Sequence, residues 1–123
     1  MALLDVVVQP IVDAATGAVV AHEALSRFPQ ATNVEAAFAR AHNDGYGDLL
    51  EVAAITLAVG KPGRPEGTDL FVNVSGAAIR SARFWDALPA DLSGVVFELV
   101  EDYVTLDWQP LLPALGQLVD RGA

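Results

Sequence analysis

The sequence contains no cysteine. Disulfides, thiolate nucleophiles and sulfur-ligated zinc are therefore excluded, and any metal has to be held by oxygen or by imidazole nitrogen. Basic residues are scarce, with seven Lys and Arg against sixteen Asp and Glu and a formal charge of -9. Such a chain lacks the electrostatic footprint for a phosphate backbone, so neither DNA nor RNA is expected as a partner. Arg27, Arg80 and Arg83 supply at most a small positive surface. Uncharged apolar runs stay well short of the ~18 residues that read as a membrane span, and residues 1–5 carry no basic leader, so a cytoplasmic protein without a membrane span is expected.

What is present is core material. Hydrophobic residues make up 53% of the chain and charged residues 19%, a globular balance, with 7 Pro and 10 Gly to supply turns. At 123 residues there is chain for one modest domain without an internal boundary. A complete eight-unit β/α barrel takes about 250 residues and does not fit.

Residues 6–12, VVVQPIV, are rich in β-branched side chains and suit a strand, with Pro10 placing it at an edge or an end. A turn containing Thr16-Gly17 leads to a second strand over residues 18–25, and so short a connection predicts an antiparallel pair. The period then changes to about 3.6: Val34, Ala37, Phe38 and Ala41 form one helical stripe behind an Asn33 cap, with a break at residues 42–47 and a second helix over 48–59. A strand is expected at 70–74, a helix at 77–84, a strand at 95–100 and a last helix at 107–119, its start blurred by Pro110 and Pro113. The order ββααβαβα favours a mixed or mostly parallel α/β layer.

Glu23, Asn73 and Glu98 each interrupt an apolar run in an expected strand. Oxygens from adjacent strands suit a hard cation such as Mg²⁺ or Mn²⁺, and independent caps, turn ligands or salt bridges explain the same residues separately. His22 reads as a strand or packing residue and His42 as helix-terminal. Trp85, Trp108 and Tyr103 have the faces to stack on a base, but their places in or near helices favour packing.

Four motifs occur together: Gln9-Pro10-Ile11-Val12, Glu23-Ala24-Leu25 with Arg27, Val72-Asn73-Val74-Ser75, and Glu98-Leu99-Val100-Glu101. In this set and order the chain resembles the EAL family of cyclic di-GMP phosphodiesterases over nearly its whole length. The resemblance implies an incomplete TIM-like (β/α) barrel with an antiparallel first strand. It implies Glu23, Asn73 and Glu98 as ligands of Mg²⁺ or Mn²⁺, Arg27 as a phosphate contact, Gln9 as a residue orienting the nucleotide, and Glu101 as a support for the active-site loop. The implied reaction is metal-dependent hydrolysis of cyclic di-GMP to pGpG.

The family continues into a strand ending in paired aspartates, then supplies a lysine, a further glutamate and a glutamine that have no counterparts in these 123 residues. Asp120 has no acidic neighbour, and Val100 stands where the family commonly has threonine. Residues 1–123 therefore read as the N-terminal half of an EAL-type domain, expected to be inactive alone. Two other classes remain: a noncatalytic nucleotide-binding or regulatory module, and a structural half-barrel whose open edge is covered by another protein chain or by a second copy of itself.

Overall fold

The computed structural model describes residues 4–28, 33–60, 67–100 and 109–123. Strand β1 (Asp5–Val12) pairs antiparallel with strand β2 (Val19–Arg27), as their short connection predicts. The turn is held by Asp13, whose Oδ1 accepts the N–H groups of Ala15 at 2.7 Å and Thr16 at 3.2 Å, while Gly17 takes a left-handed φ of 74°. β1 lies at the edge of the sheet, where the missing N–H of Pro10 is tolerated.

Helix α1 (Val34–Asn43) begins at the expected cap, Asn33, whose side chain accepts the N–H of Ala36 at 3.2 Å. It runs through Asn43, two residues into the expected break, and closes on Asp44 and Gly45. Helix α2 (Gly47–Gly60) buries Val52, Ala54, Ile55 and Ala58 and packs against β1 and against strand β3 (Asp69–Ser75).

The single helix expected over 77–84 is two: α3 (Gly76–Ile79) and α4 (Ala82–Ala87). The N–H of Ser81 bonds the Ala78 carbonyl at 2.9 Å in a tightened turn, and Ser81 is extended before α4 starts. The Trp85 Nε1–H donates to the Ile79 carbonyl at 2.7 Å and thereby satisfies the end of α3 from outside. Strand β4 (Val95–Val100) has the expected bounds. A 3₁₀ turn (Gln109–Leu111) leads into α5 (Leu112–Asp120), with Pro110 in the turn and Pro113 at the second helical position, where an absent N–H breaks no helical bond. Residues 107 and 108 of the expected last helix lie outside the described residues.

The four strands form a mixed sheet in sequence order, β2, β3 and β4 being mutually parallel. One face carries Val6, Ala24, Leu70, Val72, Val74 and Val95, all buried against α2, α3, α4 and α5 in a single core with Ile55, Ile79, Phe84, Leu111 and Leu118. The other face carries Val7, Gln9, Glu23, Leu25, Phe71, Asn73, Val96 and Glu98, each half-buried or exposed. Sequence alternation of period two thus sends the apolar set to the helical layer and the polar interruptions to the opposite face, which is open among the described residues.

Candidate functional site

Glu23, Asn73 and Glu98 come from three adjacent strands and project from the open face. Asn73 and Glu98 are direct register partners on β3 and β4, while Glu23 is level with Phe71, two residues before Asn73 on β3. Neighbouring strands lie about 4.8 Å apart, so the three side chains occupy one compact patch. The Asn73 Nδ2–H donates to Glu23 Oε1 at 3.4 Å, a long hydrogen bond that turns the Asn73 carbonyl oxygen away from Glu23.

The strand register therefore brings three oxygen-bearing side chains together, two carboxylates and one amide. Among the described residues no group of three His, Cys, Asp or Glu forms a metal cluster, which is consistent with a row whose middle member is an amide. The Glu98 side chain is half-buried and makes no hydrogen bond or ion pair among the described residues.

Gln9 sits on β1 in register with Glu23, exposed and on the same open face. Arg27 ends β2, four residues beyond Glu23 and about 13 Å along the strand. Its Nη1–H donates to the Ser26 carbonyl at 2.9 Å, and its register partner is Asp5. Glu101, Tyr103 and Trp108 lie outside the described residues.

The residues read as structural behave so. His22 is 7% exposed and its Nδ1 is 3.1 Å from Thr68 Oγ1. His42 is exposed in the last turn of α1. Trp85 is half-buried, edge-on to Phe84 and beneath the Arg121 guanidinium. An apolar groove of about 340 Å³ between the end of α2 and the end of α4, lined by Thr56, Val59, Gly60, Ala87, Leu88 and Pro89, shares no residue with the polar row.

Sequence reasoning missed Glu51. From α2 its two carboxylate oxygens accept the Ser75 N–H and O–H, both at 2.7 Å, at the end of β3. Ser75 inside a strand-to-helix junction was a legible cap signal, but no local spacing points to a partner 24 residues upstream.

Among the described residues no helix is long and apolar enough to cross a membrane. No family model and no curated protein matches the chain. The functional reading is therefore carried by the residues and their arrangement.

Proposed function

We propose that this chain carries the first half of an EAL-type cyclic di-GMP phosphodiesterase domain, an incomplete β/α barrel whose first strand is antiparallel, working in the cytoplasm. The observation that carries the reading is the row Glu23, Asn73 and Glu98 on the open face of three parallel strands. The four-motif resemblance supports it, as does a mostly parallel sheet that the described residues cover on one face only, since such sheets are ordinarily buried on both. In the proposed barrel this open face is the interior.

The donor set fits Mg²⁺ or Mn²⁺. Both are hard cations that prefer carboxylate and carbonyl oxygen, and the Asn73–Glu23 hydrogen bond leaves the Asn73 carbonyl oxygen and the Glu98 carboxylate for ligation. A bound divalent cation supplies activation of water and neutralises phosphoryl charge. Gln9, beside Glu23, orients the nucleotide. Arg27 reaches a phosphate by releasing its bond to the Ser26 carbonyl, and Glu101 takes the supporting role toward the active site that the resemblance implies.

The test is Mn²⁺ binding together with conversion of cyclic di-GMP to pGpG. The chain is expected to bind Mn²⁺, with Glu23→Gln and Glu98→Gln each weakening binding by about tenfold or more. It is expected not to turn over cyclic di-GMP unless mixed with a chain that supplies the paired aspartates. Robust turnover by the chain alone refutes the half-site, and absence of both Mn²⁺ and nucleotide binding refutes the reading as a whole. Metal-dependent nucleotide binding that never leads to turnover, even with the complementing chain, identifies a noncatalytic regulatory module.

A second reading, an interaction half-barrel, is favoured by the edge of β4, which has no further strand neighbour among the described residues. Light scattering tests it: a stable monomer at micromolar concentration counts against pairing with a second copy.

A further inference from the structure

We propose that Glu51, acting through Ser75, is a positioning residue that fixes Asn73 for cation binding, an inference that rests on the metal-site reading above. Asn73 is exposed, and its one side-chain hydrogen bond among the described residues is the 3.4 Å contact to Glu23. Packing does not orient it. Its placement depends on the backbone of β3, and that backbone is held two residues later by an unusually complete clamp.

The Ser75 N–H donates to Glu51 Oε2 at 2.7 Å and the Ser75 O–H to Glu51 Oε1 at 2.7 Å, so one carboxylate grips both donors of one residue. Hydrogen bonds to an ionised acceptor are shorter and about twice as strong as neutral ones. The Ser75 Oγ also accepts the N–H of Ala78 at 3.1 Å, capping α3. With Ser75 only 6% exposed, the end of β3 is tied at one atom group to α2, α3 and, through its register with Val100, to β4. The same register sets Asn73 opposite Glu98.

Glu51 differs in role from Glu23 and Glu98. Both of its oxygens are turned to Ser75, and it reaches the strand from the helical layer, so it acts on the row through the backbone. Outer residues that orient ligands typically change metal affinity by about 10–100-fold when removed.

The experiment compares Ser75→Ala, Glu51→Gln and Ser75→Thr with the parent chain, reading the Mn²⁺ dissociation constant by electron paramagnetic resonance and the urea midpoint in parallel. Ser75→Ala and Glu51→Gln are expected to weaken Mn²⁺ binding by about 10–100-fold while still unfolding cooperatively, and Ser75→Thr to restore it to within about threefold. In the parent chain, adding Mg²⁺ is expected to shift the Asn73 side-chain amide and the Ser75 backbone amide resonances with one midpoint. This second measurement needs no variant and decides the matter if the substitutions unfold the chain. Folded Ser75→Ala and Glu51→Gln variants with parental Mn²⁺ affinity, or an Asn73 shift on Mg²⁺ addition with Ser75 unmoved, overturn the proposal. Mn²⁺ binding that is indifferent to both Glu23→Gln and Glu98→Gln instead overturns the metal site, and the positioning role falls with it.

Discussion

Phe84 is 0% exposed, and its ring stands edge-on to Trp85 at 5.2 Å and to Phe97 at 6.0 Å between centroids. Phe97 faces the helical layer from β4, one residue before Glu98, so this aromatic cluster backs the strand that carries the open-face carboxylate. Replacing Phe84 by Ala removes a buried ring and leaves a cavity, a change that costs about 3–5 kcal/mol. Replacing it by Leu keeps much of the volume but forfeits both ring pairs, each worth about 0.5–1.5 kcal/mol, or about 1–3 kcal/mol together.

Urea unfolding followed by far-UV circular dichroism reads the effect. With a slope of about 1.5 kcal/mol/M, a loss of ~4 kcal/mol lowers the Phe84→Ala midpoint by about 2.7 M. The Phe84→Leu midpoint falls by about 0.7–2 M on the same slope. Since whole domains are stable by only about 5–15 kcal/mol, the alanine variant is expected near the limit of folding and the leucine variant well within it. A Phe84→Ala midpoint within about 0.3 M of the parent, at unchanged slope, would refute Phe84 as the centre of the core.

Three further substitutions probe the turn before β4, its neighbour Gly122 and, for comparison, Gly17. The Asp91 carboxyl is held below the usual carboxylate range by the Ser93 hydroxyl and then by the Ser93 N–H. A lowered folded value gives stability that is complete above the unfolded value and is lost as pH falls through the folded one. Ser93→Ala is therefore expected to lower the urea midpoint at neutral pH, with the difference from the parent shrinking below the ordinary carboxylate range. A difference that does not shrink on acidification counts against this linkage. Gly122 has φ 109°, and a Cβ there would meet Ser93 Oγ at 3.0 Å and Ser93 N at 3.1 Å, whereas Gly17 has φ 74° with open space around it. Gly17→Ala is expected to cost only the left-handed backbone strain of about 1–2 kcal/mol, and Gly122→Ala more than that. Equal urea midpoints for the two variants would contradict the contact.

Much of this arrangement was legible because it is local. The β-branched run of residues 6–12 and the Thr16-Gly17 turn predict the antiparallel pair, and Asn33 caps α1 by accepting the N–H of Ala36, three residues on. The three polar interruptions were legible as breaks in an apolar alternation, and the strand register gathers them on one face. The split between α3 and α4 was not legible, since a run with no internal proline or glycine break reads as one helix. What ends α3 is a Trp85 side chain turned back onto Ile79. Glu51 was hidden for a related reason. It falls in a helix rich in Ala, Leu and Val, and an isolated carboxylate there reads as a solvated residue until the fold brings Ser75 against it.

The open-face row is also fixed by residues that never touch it. Leu70, Val72 and Val74 on β3 are 1–3% exposed in the helical core, and Asn73 lies between the last two. A slip of β3 by one residue would turn Asn73 into that core and send Val72 and Val74 to the open face, exchanging a satisfied apolar layer for a buried amide without a partner. The same alternation holds Glu98 between Phe97 and Leu99, both packed toward the core. The core therefore selects the register, and the register selects which polar atoms meet. The Glu51 clamp adds the remaining constraint at the one point where β3 leaves the ladder and alternation no longer governs, the junction at Ser75.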